Sequence, residues 1–249
     1  HHCSSAASDV NKRQLESLSN EVEKNELDGI RILVSAGPTR EPIDPVRFIS
    51  NYSSGKMGYA LAESARNLGA DVELISGPVC IKMPENIKIT SVETSGEMLD
   101  AVLGKIPYCD VFISAAAISD YRPSHKLTEK HKSSDGELVI RLERGEDILK
   151  LAKETKAGLY AVGFSAETNN ISDNAKIKLE KKNIDMIISN EANHQKGLGF
   201  ESDMNEVCII EKDSMLKIPK NTKKIIADII LSRIAKNIKG NFIKIKNVR

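Results

Sequence analysis

Along the chain, short and wholly apolar runs alternate with longer segments of helical spacing. Residues 30–36 (IRILVSA) are apolar almost throughout and end at Gly37-Pro38, the pattern of a strand buried on both faces. Residues 57–68 repeat their apolar positions at helical intervals and stop at Gly69, which predicts a helix. The two signals recur. They predict strands at 71–75, 111–118, 159–164, 184–189 and 207–210, and helices at 98–106, 148–156, 175–182 and 222–238. Strand alternating with helix implies βαβ units. The expected fold is therefore α/β, a doubly wound, mostly parallel, Rossmann-like sheet flanked by helices.

Two stretches break the alternation. The chain is polar as far as about Asp28, with only Leu15, Leu18 and Val22 at helical spacing, and His1-His2 resembles the remnant of an affinity tag. Residues 1–29 are accordingly read as a leader or linker, and 30–249 as a single domain. Residues 124–136 are polar and basic with no apolar face, and 138–142 alternate apolar with charged residues. Together they predict a hairpin or flap at about 124–143, with an exposed antiparallel strand over 138–142.

Composition narrows the function. The 249 residues carry 36 Lys and Arg against 35 Asp and Glu, so no general cationic field attracts nucleic acid or membrane. Aromatics make up 4% and Trp is absent, which argues against base stacking as the source of affinity. Cys3, Cys80, Cys109 and Cys208 form no CxxC and no ligand-like spacing with the five histidines, excluding a disulfide framework or a zinc site. No apolar run reaches the roughly 18 residues of a membrane span, and no signal-peptide pattern is visible. A cytoplasmic protein is expected.

Open α/β sheets bind ligands beyond the carboxyl ends of their strands. The segment after the first strand, GPTREPIDPVRFISNYSSGKMG (37–58), is far longer than the usual two to six residues, which favours a functional loop. Ser54-Gly55 opens the following helix, where free amides and the helix dipole favour an anion. Arg47 and Asn51 add a guanidinium and an amide suited to an oxyanion or carboxylate. Three alanines, Ala115 to Ala117, follow Ser114 and precede Asp120; they imply that something packs against that backbone. Lys178 and Lys182 lie i, i+4 on one helix face after Phe164, a spacing able to grip a polyphosphate.

Taken together, GPTREPIDPVRFISNYSSGKMG, AAAISDYRP and GFSAETNN with its spaced lysines resemble the bacterial phosphopantothenate–cysteine ligases over about residues 30–238. That enzyme is commonly the C-terminal half of a bifunctional coenzyme A biosynthesis flavoprotein. The segment before Ile30 is too short for a flavin domain, so no flavin is expected here, and the chain is read as a stand-alone ligase or an excised domain whose decarboxylase partner is fused or separate. The resemblance implies that 4′-phosphopantothenate is activated by CTP to an acyl-cytidylate and then joined to L-cysteine, with Mg2+ assisting, in a homodimer. It assigns nucleotide contacts to Ser114, Ala115, Ala116, Asp120, Lys130, Glu146, Asp147, Ile148, Leu149, Phe164, Lys178 and Lys182. Ser54 and Gly55 supply the anion site. Asn51 would hold the acyl group, beside Arg47 and Ala117, and Lys130 on the flap would close over it. Two positions depart from the family pattern. Lys130-His131-Lys132-Ser133 replaces Lys-Ile-Lys-Lys, and Gly145-Glu146-Asp147-Ile148 replaces Asn-Pro-Asp-Ile. Asp147 is retained and is the expected metal contact.

Three other readings remain open on the sequence. An NAD(P)-dependent Rossmann oxidoreductase would need a Gly-rich turn after the first strand, which is missing. A nucleotide-sensing module would have no use for Asn51. The same ligation driven by ATP is disfavoured only by the lysines of the flap.

Overall fold

A computed structural model describes residues 25–132, 134, 136–167, 171–191 and 202–246. The helically spaced Leu15, Leu18 and Val22 of the leader and residues Ser133 and Thr168–Asn170 lie outside the described residues. The main sheet has eight strands. Their ranges are β1 (Arg31–Ala36), β4 (Asp71–Ser76), β5 (Lys88–Ser91), β6 (Val111–Ser114), β9 (Tyr160–Glu167), β10 (Met186–Glu191), β11 (Met204–Ile210) and β12 (Met215–Thr222). They stand in the order β12-β11-β10-β9-β6-β1-β4-β5. From β5 to β10 every pairing is parallel, while β11 and β12 are antiparallel additions. The chain winds outward from β1 through β4 to β5, then returns to β6 on the other side of β1. The switch point therefore lies between the carboxyl ends of β1 and β6.

Side chains alternate between the faces with the strand period. Ile32, Val34 and Ala36 of β1 and Val111 and Ile113 of β6 face one apolar cluster, with helices α1 (Lys56–Asn67) and α5 (Lys223–Lys246). Leu33 and Phe112 face the other, with α2 (Ser95–Lys105), α3 (Ile148–Thr155) and α4 (Ile171–Lys182). Both faces of the parallel strands are covered, which is why they read as unbroken apolar runs.

The structure departs from the sequence reading in several places, and β5 has no counterpart in it. Leu27 is 1% exposed and its amide donates to the Leu68 carbonyl, so the packed body begins within the expected leader. Strand β6 ends at Ser114 rather than Ile118, although Ala115 and Ala117 still donate to the Ser35 and Gly37 carbonyls and keep the chain beside the first loop. β12 escapes its polar pattern and Pro219, which an edge strand tolerates. In the flap, residues 138–141 form no strand. β8 (Leu142–Arg144) pairs with β7 (Tyr121–Pro123) at the flap's base instead. A second hairpin, β2 (Arg40–Pro42) with β3 (Phe48–Ser50), folds the long first loop beside it.

Candidate functional site

A cleft of about 530 Å3 opens at the switch point. One wall is the segment from Asn51 to Gly58, which leads into α1. Ala115–Ala117 and Asp120 after β6 form the second, and Phe164 and Ser165 of β9 with Lys178 and Lys182 of α4 the third. The alanines are explained from both sides. Their backbone runs against the first loop, where Ala117 donates to Gly37 and accepts from Thr39, and their small side chains leave the cleft open.

Glycines let the first wall approach this closely. Gly55 caps α1 in the left-handed region, at φ 76°, and offers no side-chain cap of its own. A Cβ there would come within 2.6 Å of Val79. Beneath it, a Cβ on Gly77 would sit 1.8 Å from the Pro38 carbonyl oxygen. The floor beneath the α1 start is thus backbone against backbone. Tyr59 of α1 donates to Ser76 Oγ, which in turn donates to the Gly77 carbonyl, tying the helix to that floor.

Asn51 Nδ2 donates to the Ile118 carbonyl at 3.0 Å and bridges the first loop to the segment after β6. Lys178 Nζ donates to Ser165 Oγ at 3.1 Å, and Lys182 lies 2.9 Å from Asp147 Oδ2.

The structure brings Asn51, Ser54, Gly55, Ala115, Ala116, Ala117, Asp120, Leu149, Phe164, Lys178 and Lys182 together around the cleft. Other expected residues sit elsewhere. Ser114 and Ile148 are buried, with Ile148 packed into the second core. Glu146 is exposed outside the lining, and so is Lys130 on the flap. Arg47 pairs with Asp44 at 2.7 Å and donates to the His131 carbonyl, so it anchors the flap rather than lining the cleft. Asp147 is held from two sides. One carboxylate oxygen caps α3 by accepting from the Lys150 amide, and the other faces Lys182.

Among the described residues, no group of three His, Cys, Asp or Glu side chains could hold a metal ion.

The sequence reading missed Lys56, Asn190, Asn205 and Lys223, all of which line the cleft. Lys56 follows Gly55 directly and could have been found from the helix start. Lys223 begins the C-terminal helix among other lysines and has no local signal. The buried Cys109 thiol is pushed up to about 11, chiefly by burial, so it is protonated at neutral pH and unsuited to nucleophilic chemistry. Among the described residues, no helix is long and apolar enough to cross a membrane.

Comparison with known proteins agrees with this geometry. The model of the DNA/pantothenate metabolism flavoprotein C-terminal domain matches residues 27–238. The coenzyme A biosynthesis bifunctional protein CoaBC of Vibrio vulnificus (strain CMCP6) is 42% identical over 206 residues, covering 82% of this chain and 51% of that protein. CoaBC of Bacillus subtilis (strain 168) is 43% identical over 211 residues, covering 84% and 52%. The chain thus spans about half the length of the curated relatives it matches. The crystal structure of the C-terminal domain of CoaBC superposes with a TM-score of 0.75 at 42% identity, covering 87% of this chain and all of that one. With the eight-stranded sheet, the cleft at its switch point and a family match over nearly the whole packed body, the chain belongs to the family of DNA/pantothenate metabolism flavoprotein C-terminal domains.

Proposed function

We propose that this chain is a phosphopantothenate–cysteine ligase of coenzyme A biosynthesis that uses CTP. The observation that carries the reading is the convergence of three groups on one cleft. These are the glycine-led start of α1, the Asn51 amide, and the lysines of α4. A carboxylate oxygen of 4′-phosphopantothenate attacks the α-phosphorus of CTP, and the bond to pyrophosphate breaks. The amine of L-cysteine then attacks the acyl carbon, releases CMP and gives up a proton. The α1 amides and the lysines stabilise phosphoryl oxygens, and Asn51 orients the acyl group. Mg2+ supplies charge neutralisation on the triphosphate when bound. Activity in the cytoplasm beside a fused or separate decarboxylase belongs to the same reading.

The discriminating assay is pyrophosphate release. It should require phosphopantothenate, proceed with CTP, and yield phosphopantothenoylcysteine only when cysteine is added. Faster release with ATP would reassign the nucleotide, and release independent of phosphopantothenate would refute the ligase reading.

The lysines of α4 give a sharper expectation. Lys178→Ala and Lys182→Ala should each weaken CTP binding roughly tenfold, the usual worth of a charge-assisted contact in a partly dry site. For Lys182 the nucleotide must displace Asp147, so Asp147→Asn should not mimic the loss. Calorimetric titration with CTP checks both, and unchanged affinity in the lysine variants would make them a solvated face.

The dimer belongs to the proposal as well. The 124–136 segment is polar, but the hairpin and flap around it leave apolar side chains exposed. Tyr52 is 77%, Val139 82% and Phe48 47% exposed, and Tyr121 and Leu142 join them. Hairpin and flap are adjoined through the Leu127 amide and the Ile43 carbonyl at 2.9 Å. An apolar surface rimmed by charge beside a ligand cleft suits a second copy of the chain. Light scattering at micromolar protein should give twice the chain mass, and Phe48→Asp with Val139→Asp should give a monomer with lost turnover. A fully active wild-type monomer would refute the dimer.

A further inference from the structure

The cleft carries a second pair of lysines that enters from the opposite layer. Lys56 begins α1 and Lys223 begins α5, whereas Lys178 and Lys182 come from α4 on the other face of the sheet. Lys56 and Lys223 line both the main cleft and a neighbouring pocket of about 350 Å3, so they form the wall between the two. Lys223 is 7% exposed. Asp203 lies between them: its carboxylate is 2.7 Å from Lys56 Nζ, and its backbone carbonyl accepts from the Lys223 amide. The Asp203 side chain is 82% exposed, so it can swing away from Lys56 at little cost.

We propose that Lys56 and Lys223 form a phosphoryl-binding subsite in this wall, separate from Lys178 and Lys182, with Asp203 as its exchangeable counter-ion. The physical reasons are position and desolvation. Both ammonium groups stand at helix starts that themselves favour an anion. Burial withdraws the Lys223 ammonium from water, and a phosphoryl oxygen that reaches it adds a charge-assisted hydrogen bond. Burial, then repulsion from Lys56, holds Lys223 down at about 8 against the opposing pull of Asp203. Among the described residues, the other charged groups lining the same two pockets are Glu63 on α1, Lys82 after β4 and Lys224 on its own helix, with Asp120, Lys178 and Lys182 in the main cleft. Anion binding favours the ammonium form and raises this pKa. Binding should therefore take up a proton at pH about 8 and above, and weaken as pH rises through that value. The inference rests on the proposed function only for the source of the phosphoryl group, which is either the pyrophosphate portion of the nucleotide or the monoester of phosphopantothenate.

The test is calorimetric titration of the full chain with inorganic pyrophosphate and, separately, with phosphopantothenate, in buffers of different ionisation enthalpy. Wild type should bind one of them with proton uptake near pH 8. Lys223→Met should weaken that ligand about tenfold and abolish the uptake, and Lys56→Met should weaken the same ligand. Lys223→Arg should keep the affinity and lose the uptake, because a guanidinium does not titrate there; it also serves if the Met variant fails to fold. The ligand that responds identifies the source. Unchanged affinity for both in folded Lys223→Met, or wild-type binding without proton uptake, would overturn the subsite. Failure of the ligase reading would show separately, as absent turnover with intact anion binding.

Discussion

Asn51→Asp is expected to turn over about 10²–10³-fold more slowly while still binding CTP, the range seen when one well-placed oxyanion donor is removed. Two effects combine in this substitution. The new carboxylate opposes the negative charge that develops on the acyl oxygen as cysteine attacks. It also faces the Ile118 carbonyl, to which Asn51 Nδ2 now donates at 3.0 Å. Two acceptors in that position repel, and the bridge between the first loop and the segment after β6 opens. Nucleotide affinity should survive because the α1 start and the α4 lysines are untouched. Quenched-flow measurement of CTP, acyl-cytidylate and CMP separates the steps. The acyl-cytidylate should form and then persist. Lys130→Gln should behave differently. Lys130 is exposed on the flap, so its loss should impair capture and retention of the nucleotide through flap closure. Normal turnover in Asn51→Asp would remove the acyl-transfer role from the loop of residues 47–58.

The largest effect on stability is expected from a residue with no side chain. Gly77→Ala places a Cβ 1.8 Å from the Pro38 oxygen and 2.9 Å from its carbonyl carbon. Both are backbone atoms and cannot rotate away. The turn after β1 must move, and Gly37 and Gly55 are packed against the same floor. Such overpacking costs about 3 kcal/mol, or a fall in Tm of roughly 6–12 °C for a domain of this size. Because the displaced turn supports the start of α1, phosphate binding should weaken in the variant even where it is fully folded. Thermal unfolding together with pyrophosphate titration measures both. A Tm within 2 °C of wild type, with unaltered binding, would mean that this floor is softer than its contacts imply.

Much of this protein was legible in one dimension. β1, α1, β4 and α3 lie within a residue or two of their predicted bounds, because strands covered on both faces and amphipathic helices write their burial directly into residue spacing. The long loop of residues 37–58 and the positions of Asn51, Gly55, Lys178 and Lys182 were equally readable, since each belongs to a local run of unusual composition. The tertiary structure decided the rest. Lys223 and Asn205 reach the cleft only because α5 and β11 return to the switch point, and no local pattern encodes a return. β12 is an edge strand whose pairing comes from β11, not from its own periodicity. Asp147 caps α3 and pairs with Lys182, two contacts that no local pattern announces. Sequence spacing specifies which face a residue presents, but an ionisable group takes its role from its neighbours in space, and those are set by how the layers close.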